Sequence, residues 1–267
     1  MAYFDCGDDR SVYFEHHRGP GVPVVLIHGW AMSGRIWAST VEGLKAAGHA
    51  VIVIDHRGCG QSDRDFDDMS IAALAGDVEG IVRKVAGQPV VLNGWSLGGA
   101  VATEAAHRLG DRVAGLVLTC GASPRFTRTE DFPHGGEPEG LAATAAALTA
   151  DRAGFFCGLA QGVCVREVSL ATIDWMSATF IDSGPDVIRS LLDLGNIDQR
   201  ALLAGLSVPV LSIVGSADPI LDPQVGMAAA QIAQAGSVVA FESCGHAPFI
   251  EDPPEYLAAL RHFLASL

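Results

Sequence analysis

Six apolar runs, Val24–Ile27, Val51–Ile54, Val90–Asn93, Val113–Thr119, Val208–Val214 and Val238–Phe241, punctuate the chain, with helical stretches between them. A strand that is apolar along its whole length has no face for water, so it must be covered on both sides. Alternation with helices of about 36–47, 71–85, 223–235 and 254–267 therefore predicts a mostly parallel sheet with helices on both faces. Strand-like pieces near Tyr3 and Ser11–Glu15 are expected as an antiparallel edge, which brings the sheet to eight strands. At 267 residues the chain is long enough for one large α/β domain carrying an insertion.

The insertion is expected at 122–200, where the rhythm breaks. A loop rich in proline, glycine and charge, SPRFTRTEDFPHGGEPEG, leads into alanine-rich helical sequence with no core strand. Residues 1–121 and 201–267 then form the core domain. The helical insertion becomes a lid over the strand C-termini, where open α/β sheets place ligands.

One helix follows its strand with almost no loop. VVLNGWSLGGAVATEAAHRL, residues 90–109, runs from a buried-type strand through Gly94-Trp95-Ser96-Leu97-Gly98 into an alanine-rich helix. With 31 glycines in the chain, Gly-x-Ser-x-Gly arises by chance about 0.2 times, so the strand–turn–helix context carries the signal. Such a turn strains the serine backbone and demands small residues two before and two after it. It also lifts the hydroxyl to where the helix N-terminus aims its amides, so Ser96 reads as a nucleophile and the Leu97 N–H as an oxyanion donor.

A serine needs a base. Among nine histidines, His246 in FESCGHAPFIEDPPE lies between the last strand and the last helix. His16, His17, His49, His107, His134 and His262 read as solvated. Asp218, following the preceding strand in VPVLSIVGSADPI, is the acid that orients His246, with Asp222 in reserve. Ser96, Asp218, His246 is the α/β-hydrolase order of nucleophile, acid and base. VVLIHGWAMSGRIW supplies the second oxyanion donor, the Trp30 N–H, beside a glycine that permits close approach. His28 reads as a packing and hydrogen-bonding residue. In DHRGCGQSD, Asp55 and Arg57 are expected to form a structural ion pair.

A net charge of −14 without any basic run argues against nucleic acid and anionic membrane as partners. Six cysteines without C-x-x-C or metal-finger spacing read as reduced thiols, and no metal or cofactor is expected. MAYFDCGDDRS has neither a basic n-region nor a long apolar h-region, which makes a cytoplasmic location the expectation.

These motifs resemble the α/β-hydrolase superfamily over essentially the whole chain. HGW at 28–30, GWSLGG at 94–99, ASPRF at 122–126 and HAPFI at 246–250 look most like the pimeloyl-[acyl-carrier-protein] methyl ester carboxylesterase-like serine esterases. The resemblance implies the Ser96–Asp218–His246 triad, a Trp30–Leu97 oxyanion hole, and Trp30 with Phe126 in the acyl pocket. The insertion's own aromatics, Phe155, Phe156, Trp175 and Phe180, extend the list of expected substrate contacts. Relatives of that branch grip an acidic carrier protein with lid arginines. Here residues 122–200 hold six basic and eleven acidic residues, a net −5, which disfavours acyl carrier protein as a partner. The expected function is hydrolysis of small to medium carboxylic esters, with lactones and thioesters as variants. The alternatives are a cofactor-free perhydrolase of haloperoxidase type with the same triad, or a slow-turnover ligand- or carrier-binding protein.

Overall fold

The computed structural model describes residues 1–267. Eight strands make one sheet: β1 (Ala2–Gly7), β2 (Arg10–His17), β3 (Gly21–Ile27), β4 (His49–Ile54), β5 (Val90–Trp95), β6 (Val113–Thr119), β7 (Val210–Gly215) and β8 (Gly236–Phe241). Their order is β1-β2-β4-β3-β5-β6-β7-β8. The β1–β2 and β2–β4 pairs are antiparallel and every other pair is parallel. The expected antiparallel edge is therefore present, and the apolar runs occupy the buried middle. All six residues of β5 are buried, as are Val24 through Ile27 of β3.

Two groups of helices cover the faces: α1 (Ala38–Ala46) packs with α11 (Pro253–Ala265), and α2 (Ile71–Val85) with α3 (Leu97–Leu109). Local chemistry sets their ends. Ser70 caps α2 by accepting from Ala73 N–H at 3.1 Å, and Asp252 caps α11 through Glu255 N–H, with proline in the first turn. Under the centre of the sheet, Asn93 donates to Tyr256 Oη at 2.8 Å. Thr119 Oγ1 donates to Asn93 Oδ1 at 2.9 Å and lies 2.9 Å from the Tyr256 hydroxyl. All three side chains are buried, so this closed ring ties α11 to β5 and β6 without leaving a polar group unpaired.

Between β6 and β7 the chain forms no sheet strand. It runs through α4 (Glu139–Ala150), α5 (Arg152–Val163), α6 (Leu170–Asp182), α7 (Val187–Leu194) and α8 (Arg200–Gly205). Of these, α8 packs on α3 and on α9 (Pro223–Ile232), beside the core. The remaining short helix, α10 (Pro248–Glu251), directly follows His246. No helix is long and apolar enough to cross a membrane.

One expected ion pair is replaced by another. Arg57 binds Asp77 of α2 through two hydrogen bonds, at 2.6 and 2.8 Å, rather than Asp55. Asp55 instead turns inward and accepts the backbone N–H groups of Gly34 at 2.6 Å and Gln61 at 2.8 Å. At 5% exposure a carboxylate is better compensated by amides that have no other acceptor than by a long side chain that can reach α2.

Candidate active site

Ser96 sits alone between β5 and α3 with φ 55° and ψ −124°, a left-handed conformation that costs energy in any residue with a Cβ. The neighbours make it attainable. A Cβ on Gly94 would collide with the Gly98 carbonyl, and one on Gly98 would collide with the carbonyl oxygens of Ile27 and His28. The turn is pinned by Ser96 N–H to Thr119 O at 3.1 Å and by Ala122 N–H to Ser96 O at 2.8 Å.

Asp218 and His246 come from the loops after β7 and β8. His246 Nδ1 donates to Asp218 Oδ2 at 2.6 Å, and both side chains are nearly sealed from water, at 3% and 2% exposure. Asp218 Oδ1 accepts from Ile220 N–H at 2.8 Å and Leu221 N–H at 3.0 Å. Burial pushes the Asp218 carboxyl up. The charge and hydrogen bond of His246, with those two amides, outweigh burial and hold it below the ordinary carboxylate value. An ionised Asp218 fixes the proton on Nδ1 and leaves Nε2 as the acceptor. Asp222 does other work: it caps α9 by accepting from Gln224 N–H at 2.9 Å and faces His134 at 3.9 Å.

Ser96 and His246 open into one cavity of about 220 Å³, whose fifteen lining residues include eleven hydrophobic ones. They make no hydrogen bond to each other in this conformation; such contacts commonly tighten only with substrate. Leu97 heads α3, so its N–H has no intrahelical acceptor. The Trp30 N–H donates to no protein group. A Cβ on Gly29 would stand 3.2 Å from Ser96 Cβ, which measures how tightly the Gly29–Trp30 turn lies against the serine.

Trp30, Phe126, Phe155 and Phe180 line the cavity. Phe156 and Trp175 do not. Phe156 is fully buried beneath the wall, stacked on Phe180 at 5.5 Å and against Trp30 at 5.7 Å. Trp175 is 37% exposed and lines a separate depression with Glu15, His17 and Arg35. The cause is helical geometry: Trp175 and Phe180 are five residues apart on α6, about 140° around its axis, so only one of them faces the serine.

Trp95, whose role the sequence did not flag, donates its indole N–H to His246 O at 2.7 Å. Its place between Gly94 and Ser96 was the available signal. Cys120 Sγ lies within 4.8 Å of the Asp218 and His246 ligand atoms. These three are the side chains near enough to share a cation. Burial, followed by the nearby Asp218 charge, pushes the thiol up, and the 2.6 Å bond already occupies Nδ1 and Oδ2, a set better suited to hydrogen bonding than to metal ligation.

Beneath the Trp30 turn lie two histidines, His28 and His56, whose rings meet edge to face with centroids 4.3 Å apart. His28 Nδ1 donates to Gly29 O at 2.7 Å, and its Nε2 accepts from His56 N–H at 2.9 Å. His56, which no sequence motif singles out, donates Nε2–H to His28 O at 3.1 Å. Burial holds His28 down at about 4, and burial with the neighbouring His28 holds His56 well below its ordinary value. A folded value below the unfolded one means that the unfolded chain takes up protons first. The stability contributed by neutral His28 is then complete above about pH 6.5 and lost as pH falls toward 4. Urea unfolding should show a loss of about 2–3 kcal/mol from this site between pH 7 and 4.5. A His28→Asn variant should show a correspondingly flatter profile; equal slopes in both proteins would refute the assignment.

Comparison with known proteins shows the family and the fold. The alpha/beta hydrolase fold family matches residues 22–253. A pimeloyl-[acyl-carrier protein] methyl ester esterase of Stenotrophomonas maltophilia is 34% identical over 257 residues, covering 93% of this chain and 95% of that protein. An esterase from Exiguobacterium antarcticum superposes with a TM-score of 0.94 at 23% identity, covering 98% of both chains, a likeness of fold. A bromoperoxidase from Bacillus anthracis superposes at 0.92 with 26% identity over 99% of both.

Proposed function

Because this chain belongs to the alpha/beta hydrolase fold family, we propose that it is a serine carboxylesterase for small to medium esters, with residues 122–200 as its lid. The observation that carries the reading is the shared cavity: Ser96 and His246 open into it, and His246 is held by Asp218 behind them. Ser96 Oγ attacks the ester carbonyl as His246 Nε2 takes its proton. The N–H groups of Trp30 and Leu97 hold the oxyanion. Collapse expels the alcohol, which receives the proton from His246. Water, deprotonated by His246, then cleaves the acyl-enzyme and releases the acid and free Ser96.

A cavity of about 220 Å³ falls below the ~300–1,000 Å³ of drug-sized sites. Its wall has no Asp, Glu, Lys or Arg side chain, which suits a short neutral acyl group. The arginines of this lid are all engaged in hydrogen bonds or ion pairs, four of them with carboxylates. Arg125 pairs with Asp198 at 3.0 Å, Arg128 with Glu137 at 2.5 Å, Arg166 with Asp252 at 2.6 Å and Arg200 with Asp131 at 2.7 Å. Arg152 donates to Ser183 O at 2.7 Å, and Arg189 to the carbonyls of Phe66 and Asp67. Although the Stenotrophomonas relative is named for a carrier-linked ester, an acidic carrier would meet a net-negative insertion in which four of six arginines are already paired with carboxylates.

The test is a substrate panel. On p-nitrophenyl esters kcat/KM should rise roughly fourfold per methylene from acetate to butyrate or hexanoate and then fall. A carrier-linked methyl ester should react no better than its small counterpart, and added salt should help it by screening repulsion. Efficient carrier-ester cleavage that weakens with salt would overturn this reading. The bromoperoxidase likeness favours a second outcome, perhydrolysis, in which hydrogen peroxide replaces water at the acyl-enzyme; peracid formation in the same assay detects it.

A further inference from the structure

We infer that Glu251 is a positioning residue for His246, a reading that rests on His246 being the base. The carboxylate stands at the end of α10, five residues beyond the histidine. Both of its oxygens accept the Gly245 N–H, at 2.8 and 3.0 Å. Oε2 also accepts Val165 N–H at 2.9 Å and Arg166 N–H at 2.8 Å, from the turn that leaves α5. One side chain thus gathers three backbone donors from two segments that are about eighty residues apart in sequence.

The consequence falls on the histidine backbone. With the 163–166 turn drawn in, Val163 O accepts His246 N–H at 2.8 Å. The approach leaves no slack, since a Cβ on Gly245 would stand 2.9 Å from both Val163 O and Val165 N. Arg166 reinforces the turn by binding Asp252 Oδ2 at 2.6 Å and Glu242 O at 2.7 Å. His246 is therefore held at three points: N–H by Val163, carbonyl by the Trp95 indole, and Nδ1 by Asp218. The first belongs to the helical insertion and depends on Glu251. Replacing the carboxylate leaves amides without an acceptor and frees the turn, so the histidine loses its hold on the insertion; of the cavity wall only Val163 lies in that turn, while Trp30, Phe126 and Phe180 come from other segments and stay in place.

The experiment measures kcat and KM on p-nitrophenyl butyrate, with the active-site concentration counted by stoichiometric release from a p-nitrophenyl phosphonate. Glu251→Gln should lower kcat per titrated site about 10- to 100-fold and leave KM within about twofold. Glu251→Asp, which keeps both carboxylate oxygens, should recover part of the loss. Phosphonylation of Ser96 should slow in parallel with kcat. A loss confined to the titratable fraction or to KM, or a kcat per site within twofold of the parent, would overturn the role. His246→Ala in the same assay separates the two readings. If it is inactive while Glu251→Gln is normal, only the positioning role fails; if it keeps a tenth of the activity, the base assignment itself fails.

Discussion

Ser96→Ala is expected to lower kcat by about 10⁴- to 10⁶-fold, and His246→Ala by a similar factor. In the proposed mechanism the two groups act as one unit: without Oγ no acyl-enzyme would form, and without Nε2 the hydroxyl would keep its proton. The double variant should therefore be little worse than either single one. What remains should come from Trp30 and Leu97 holding the oxyanion. Steady-state kinetics on a p-nitrophenyl ester, with a phosphonate to confirm that Ser96 no longer reacts, makes the measurement. A Ser96→Ala protein retaining a tenth of the activity would end the nucleophile reading.

The second large effect is expected at the acid. Asp218→Asn should keep the fold, because the amide oxygen can still accept from Ile220 and Leu221, yet cost about 10³- to 10⁴-fold in kcat. The side-chain NH₂ would face Nδ1, drive the proton to Nε2, and remove the acceptor that Ser96 needs. Asp222→Asn should change kcat far less, since Asp222 caps α9, and its cost should appear as a small drop in Tm. Greater damage from Asp222→Asn than from Asp218→Asn would reverse the assignment.

Much of this site is written in short stretches of sequence because the physics behind it is local. Carbonyl oxygens crowd the places where a Cβ would stand on Gly94 or Gly98, so glycine spacing reports the strained serine turn directly. Runs without polar positions report strands covered on both faces, and those strands do form the parallel centre of the sheet. Chain order leaves both Asp218 and Asp222 eligible, and nearness to the end of β7 at Gly215 favours Asp218, whose Oδ2 stands 2.6 Å from His246 Nδ1. The insertion's aromatics were not legible in this way: Phe155, Phe156, Trp175 and Phe180 were all expected at the cavity, and only Phe155 and Phe180 line it, because residues on one helix turn 100° per step and packing decides which side faces the serine.

Other features depend on what distant segments bring to one point. Arg57 chooses Asp77 over Asp55 because α2 lies within reach of its long side chain while nearby amides claim the shorter carboxylate. Net charge placed residues 122–200 at −5, but only tertiary contacts showed that each of their arginines already has an acceptor, as with Arg125 on Asp198 and Arg152 on Ser183. Glu251 reads in sequence as one more acid in a proline-rich stretch, and its three amide partners appear only when α5 ends against the His246 loop. The sequence by itself determined the sheet, the serine turn and the order of its candidate partners, since backbone sterics and burial periodicity act over a few residues. The tertiary structure decided which charges are paired and which aromatics face the serine, because a side chain's partner depends on distance in space, which sequence separation does not encode.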